Sequence, residues 1–181
     1  MCSSDLILRC SVGSSTAMDL SDALAAATRG AVEELGPGER ADLAVVFVSK
    51  AHGSAIRGAM EHLSESIPAR VVLGTTVEGL LAGGVEHEEG PAVAVWLARM
   101  PGVTLVPLAL EYARTADGGS FVGWPAELDD GWPPHASLLL LADPFTCPVE
   151  KLLARMDDDH PGVTVVGGMA SGGYEPEIGR A

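Results

Sequence analysis

Val72-Leu73-Gly74-Thr75-Thr76-Val77-Glu78-Gly79 runs from an apolar strand end into a small, glycine-bounded segment. A counterpart, Val165-Val166-Gly167-Gly168-Met169-Ala170-Ser171-Gly172, follows 93 residues later. The same offset sets Pro68 on Pro161 and residues 44–48 on 137–141, with no gap needed. Each copy has an apolar run, a helix-like stretch and a second apolar run, the pattern of a strand–helix–strand unit with parallel strands. Two such units, each ending in a Gly-x4-Gly turn, predict the fold class. It is α/β (α+β mixed): a mixed parallel/antiparallel sheet with flanking helices, built on two βαβ-like pseudo-repeats.

Working outward, residues 7–13 are short and β-prone, and Gly13-Ser14-Ser15 punctuates them. Residues 16–35 read as a helix that Thr16 or Asp19 can cap. Its stripe is Ala17, Leu20, Leu24, Ala27, Ala31, Val32 and Leu35, and Gly36-Pro37-Gly38 stops it. Residues 42–49 form a continuous apolar run, as in a strand buried on both faces. His52-Gly53-Ser54 caps a second helix over 55–65, carrying Ile56, Ala59, Met60 and Leu63 inward, and 70–73 is the next strand. The short links between 80–85, 92–98 and 103–110 predict three strands in an antiparallel meander. Residues 111–135, rich in Gly and Pro with Trp124 and Trp132, read as a long loop, either a lid or an ordinary packed connection. The second unit follows: strand 137–142, turn 143–148, helix 149–157 with Pro148 in its first turn, strand 163–166 and turn 167–173.

The chain has 181 residues, enough for one domain or two small ones. With 47% apolar and 20% charged residues it is globular, and 4% aromatics leave the core to Val, Leu, Ala and Gly. A net charge of −14 with only eleven Lys and Arg excludes a nucleic-acid surface and an anionic membrane face as partners. The acidic patches at 86–89, 127–130 and 157–159 read as solvated ends. Cys2, Cys10 and Cys147 show neither metal spacing nor an even disulfide framework, which suits a reducing cytoplasm. No apolar run approaches the length of a membrane span.

Glycines directly after a strand let the backbone take positive φ or approach a ligand closely, and bare N–H groups there can cradle an anion. The candidate ligand-binding positions are therefore Gly74, Thr75, Thr76, Glu78 and Gly79 in the first copy and Gly167, Gly168 and Ser171 in the second. Glu78 is an acceptor suited to an ammonium group. Asp143 joins them at the end of its own strand, because ligands in sheets with parallel pairs favour the carboxyl ends of strands. Neither turn is a phosphate loop: the Lys-Ser/Thr pair is missing and the G-x-G-x-x-G spacing is not met. Structural turn glycines are the plainer reading of both. Ser49 and His52 lie three apart without a nucleophile elbow, and Cys147 gains reactivity only if a helix N-terminus lowers its thiol pKa. His62, His87, His135 and His160 have no mutual ligand spacing, so no metal and no cofactor are expected.

Taken in order, these residues resemble the N-terminal half of the FIST family, a predicted sensory domain of bacterial signalling proteins. The likeness rests on Val12-Gly13-Ser14, the strand over 43–49, the Val-Leu-Gly-Thr-Thr-x-Glu-Gly segment and the strand over 91–98. Leu140-Leu141-Ala142-Asp143-Pro144-Phe145 and the closing Val165–Gly172 stretch complete it, so that it covers residues 7–175. It implies binding of a small ligand, with amino acids or similar metabolites proposed, and no established catalysis. It also implies the family's C-terminal half and downstream signalling proteins as partners. Thr75 stands where many members carry Cys, so a thiol role there is absent. Residues 1–6 and 177–181 look like translated sequencing adapter, so the natural chain is expected to be longer. A hydrolase using Ser49/His52 or Cys147, and an interaction scaffold, are the alternatives.

Overall fold

Residues Ala41–Ser49 form strand β2, buried everywhere except at Asp42 and Phe47, which are half-buried. A run covered on both faces belongs inside a sheet. The computed structural model describes residues 7–38, 40–53, 55–116, 118–128 and 131–172. It separates into two compact units, Met1–Leu105 and Val106–Ala181. The expected foreign ends, the Ser54 cap and the side chains of Met60 and Leu63 lie outside the described residues.

In the first unit β2 lies between β3 (Ala69–Val77) and β6 (Val93–Arg99), and β1 (Arg9–Ser15) completes a four-stranded sheet in the order β1-β6-β2-β3. β2 pairs with β3 in parallel, while β6 runs antiparallel to both β1 and β2. The sheet is thus mixed, as the sequence implied.

Helix α1 (Leu20–Leu35) lies against β1 and β6. Asp19 caps its start, accepting from the Asp22 N–H at 3.0 Å. Leu20, Leu24, Ala27, Ala31 and Leu35 form its buried stripe. At its end Gly36 takes φ 80°, and the Arg99 guanidinium donates to the carbonyls of Leu35 (3.4 Å), Gly36 (2.9 Å) and Pro37 (3.1 Å). Carbonyls that a helix end leaves unpaired are thereby satisfied by a side chain from β6.

The helix and sheet approach each other unusually closely at Gly13. A Cβ there would lie 2.0 Å from the Ala27 carbonyl oxygen and 2.6 Å from the Ala31 nitrogen. Two residues earlier on the same strand face, the buried Ser11 hydroxyl donates to the Ala31 carbonyl at 2.7 Å.

Three expectations are corrected. The helix over 55–65 is two short helices, α2 (Ala55–Glu61) and α3 (Leu63–Ser66). The meander does not form: residues 80–85 break at Gly83-Gly84 (φ 58° and 78°) into a hairpin of β4 (Leu80–Ala82) and β5 (Val85–His87). Two successive positive φ values are what a tight two-residue hairpin requires. β6, apolar on both faces, leaves that hairpin for the middle of the main sheet. Residues 103–110 form no strand, and Pro107 explains it by removing a ladder donor from the centre of the run.

The second unit holds a hairpin of β7 (Glu111–Ala113) and β8 (Ser120–Val122), then β9 (Ser137–Ala142), helix α4 (Val149–Asp159) and β10 (Thr164–Met169). β9 and β10 pair in parallel, so a βαβ unit recurs. Phe121, Leu138, Leu152 and Met156 are its buried centre, with Trp124 and Trp132 packed against them. Among its described residues, the segment over 111–135 thus packs Tyr112, Phe121, Trp124 and Trp132 into this core, as a connection rather than a loose lid does.

The repeat itself is not gapless. Gly74 pairs with Val46, whereas Gly167 pairs with Leu140, not with Leu139, which the 93-residue offset would require. Core-facing residues agree: Ala44 and Val46 correspond to Leu138 and Leu140, while Val72 corresponds to Val165. The second crossover is one residue shorter, because a one-residue slip would turn the β9 side chains to the wrong face.

Gly13→Ala is expected to destabilise the protein by about 2–3 kcal/mol, since backbone rather than a flexible side chain blocks the new methyl. Gly30→Ala, whose Cβ would meet its nearest neighbour at 3.7 Å, is expected to be neutral or to stabilise by about 0.5–1 kcal/mol through helix propensity. Urea unfolding midpoints of the two variants check the contrast.

Candidate functional site

Both parallel pairs end in polar loops, one in each unit. In the first unit β2 and β3 end together at the register pair Ser49–Val77. Lys50 and Glu78 come next, and their ammonium and carboxylate form an ion pair. The hydrogen bond and charge of Lys50 hold the Glu78 carboxyl below its usual range. Glu78 therefore already has an ammonium partner from its own chain.

Gly74, Thr75 and Thr76 are not in a turn: β3 runs through them to Val77, and only Glu78-Gly79 bends. Thr75 and Thr76, adjacent in a strand, point to opposite faces of the sheet and cannot serve one site together. Gly79 packs against β5, where an added Cβ would lie 3.1 Å from the His87 carbonyl oxygen.

Ser49 is buried, and its hydroxyl is occupied. It donates to the Gly90 carbonyl at 2.9 Å and accepts from the Ala51 N–H at 3.2 Å, opening a 3-10 turn over Lys50–His52. His52 packs toward the start of α1, with a backbone hydrogen bond at Met18 and the Asp19 carboxylate nearby. Burial outweighs both and pushes its pKa below the ordinary 6.5. Its buried Nε2 has no hydrogen-bond partner among the described residues.

In the second unit Asp143 follows β9 directly. Its carboxylate accepts from the Phe145 N–H at 3.0 Å and from the Thr146 hydroxyl at 2.8 Å, which locks the loop leading to α4. Gly167 and Gly168 lie within β10 rather than in a turn, and Ser171-Gly172 form the turn beyond it. Gly167 (φ 146°) is pressed against β9: an added Cβ would sit 1.8 Å from the Leu140 carbonyl oxygen. Its role is close strand approach, whereas Asp143 and Ser171 stand at the same, carboxyl end of the pair.

Beside the Asp143 loop is a cavity of about 300 Å³, lined by Tyr112, Arg114, Phe145, Cys147 and Lys151 among others. The Lys151 ammonium donates to the Tyr112 hydroxyl at 2.9 Å, and that hydroxyl donates to the Gly118 carbonyl at 3.1 Å. Cys147 stands two residues before α4, but burial first, and then the Asp143 charge, raise its thiol pKa. A thiol so placed is a weak nucleophile at neutral pH. Tyr112, Arg114 and Lys151 had not stood out in the sequence. Their signal was the i, i+2 spacing of Tyr112, in β7, and Arg114, directly after it, and the position of Lys151 in the first turn after Pro148. Among the described residues no cluster of His, Cys, Asp and Glu could hold a metal ion, and no helix is long and apolar enough to cross a membrane.

The FIST N domain model matches residues 42–179. The chain belongs to the FIST family. The FIST domain family is generally a sensory and signal-transduction family. Among curated proteins, an uncharacterized protein of Mycobacterium tuberculosis (strain CDC 1551 / Oshkosh) is 37% identical over 166 residues. An uncharacterized protein of Mycobacterium bovis (strain ATCC BAA-935 / AF2122/97) is 33% identical over 166 residues. Each alignment covers 92% of this FIST chain but only 42% and 41% of the respective relative. The chain thus spans well under half the length of the curated relatives it matches.

Because the folded-state pKa of His52 is depressed, its contribution to stability is present above the unfolded value of 6.5 and is lost as pH falls through the folded value. The unfolding midpoint should therefore fall more steeply below pH 6.5 in the native protein than in His52→Gln. Parallel pH series of denaturant melts give the comparison, and identical slopes would contradict it.

Proposed function

We propose that the chain is the small-ligand-binding part of a sensory protein, taking amino acids or related metabolites. The observation that carries this reading is the cavity at the carboxyl end of β9, beside Asp143 and of a volume suited to such molecules. Although neither Asp143 nor Ser171 is itself among the lining residues, it favours the loop that Asp143 opens over Gly74, Thr75, Thr76, Glu78 and Gly79 in the first unit. There Lys50 already matches Glu78, and β3 takes up three of the five positions.

The hydrolase alternative draws little support. The Ser49 hydroxyl is buried and donates to a carbonyl, and the Cys147 thiol is harder to ionise than a free one. An interaction scaffold is the second reading. The outer face of the β9–β10 pair sets exposed Leu139 opposite exposed Val166, an apolar pair in water.

A thermal-shift screen of the protein against amino acids and small metabolites tests the proposal. A ligand present at about 100 times its Kd should raise the midpoint by about 5–10 °C. Phe145→Ala should shrink that rise while leaving the unliganded midpoint close to native, and Glu78→Ala should leave the rise intact. No response from any compound at millimolar concentration removes the reading. A rise abolished by Glu78→Ala moves the site to the first unit.

A further inference from the structure

The cavity beside the Asp143 loop is chemically one-sided. Among the described residues its charged lining is Arg114 and Lys151, with no carboxylate. Among the described residues, neither cation is paired with a carboxylate. The Lys151 ammonium donates instead, among the described residues, to the Tyr112 hydroxyl, a bond that uses one of its three protons. This is notable in a chain of net charge −14, where Lys50, Arg70 and Arg155 each have a carboxylate within ion-pair distance.

The nearby acid, Asp143, is not part of the cavity lining. Both Asp143 oxygens are turned into the loop, one on the Phe145 N–H and the other on the Thr146 hydroxyl. The lining also has an apolar part, Pro144, Phe145 and Pro148, with Thr146 and Cys147 beside them. The 11-residue helix α4 starts directly after Pro148, so the partial positive charge of its first turn adds to the same sign.

We infer that this cavity is an oxyanion subsite: Arg114 and Lys151 clamp the carboxylate or phosphoryl group of a small organic ligand whose apolar part lies against Phe145. The inference rests on the ligand-binding reading above and adds the chemistry of one end of the ligand. The guanidinium offers two parallel donors to an oxyanion, and the ammonium, held in place by Tyr112, supplies a second charge.

The test uses the 181-residue chain, labelled with ¹⁵N and titrated at low salt with four probes: benzoate, phenyl phosphate, inorganic phosphate and benzylamine. Benzoate or phenyl phosphate is expected to shift the amides of Phe145, Cys147 and Lys151 saturably, with Kd on the order of millimolar, while benzylamine does not. Whichever of the two aromatic anions binds tighter identifies the oxyanion as carboxylate or phosphoryl. Inorganic phosphate should bind more weakly than phenyl phosphate, because it leaves the Phe145 wall uncovered. Arg114→Gln and Lys151→Gln should each weaken binding about tenfold or more, as expected for losing a charge-assisted hydrogen bond. Arg29→Gln, which removes the same charge from α1, should not.

Both lining residues substituted are exposed, and the native amide spectrum away from the cavity serves as the check on folding. Equal response to benzylamine overturns the inference, as does anion binding that survives both lining substitutions. Its failure is separable from that of the broader reading. A metabolite that raises the midpoint without touching Arg114 or Lys151 spares the sensor and removes the oxyanion subsite. Anion binding at these residues with a silent metabolite screen does the reverse.

Discussion

The first unit is organised by a missing methyl group. At Gly13 the α1 backbone comes so close that a β-carbon would overlap the Ala27 carbonyl. On the helix side the contact is lined by Ala27 and Ala31, both fully buried. The Ser11 hydroxyl closes the gap to the Ala31 carbonyl and so satisfies a buried polar group. A protein with 4% aromatic residues cannot fill space with large rings, and packs backbone against backbone instead. The same economy recurs in the second unit, where Gly167 lets β10 press onto the Leu140 carbonyl of β9.

Much of this architecture was legible in the sequence. The long amphipathic stripe of α1, the apolar run of β2 and the strand over 137–142 each carry a periodicity or length that admits one reading. What misled were competing local signals. The run over 80–85 looked continuous until Gly83-Gly84 turned it back on itself, and Pro107 denied residues 103–110 a ladder. Gly74, Gly167 and Gly168 advertised turns but lie within strands, whereas Gly79 and Gly172 do sit where the chain bends. Glu78 and Ser171 do follow strand ends, as the strand-to-turn pattern of both segments implied. Tyr112, Arg114 and Lys151 escaped notice because the cavity joins a hairpin to a helix start 37 residues further on, and no local motif spans that distance.

The two copies share a frame but not a chemistry. After β2 the chain enters a 3-10 turn through Ser49, whose hydroxyl caps it, and the nearest charges neutralise each other as Lys50 and Glu78. After β9 the chain makes a turn held by Asp143, whose oxygens are bonded within the loop, while Arg114 and Lys151 line the cavity beside it with no carboxylate partner among the described residues. One residue of difference between the crossovers keeps the core faces aligned while the loops diverge. The loops at equivalent ends of the two parallel pairs therefore differ in electrostatic character.

The place of β6 has a consequence for the order of assembly. β1 and β2 run in the same direction but do not touch; β6 separates them and hydrogen-bonds to both. Arg99, at the end of that strand, also finishes a helix whose last residue lies 64 positions earlier. A chain leaving the ribosome can thus build α1 and the β2–β3 pair from nearby residues, yet the sheet stays in two pieces until residue 99 has emerged. Loop closure over that distance must precede the reward of pairing. The first unit is then a structure whose keystone is synthesised last.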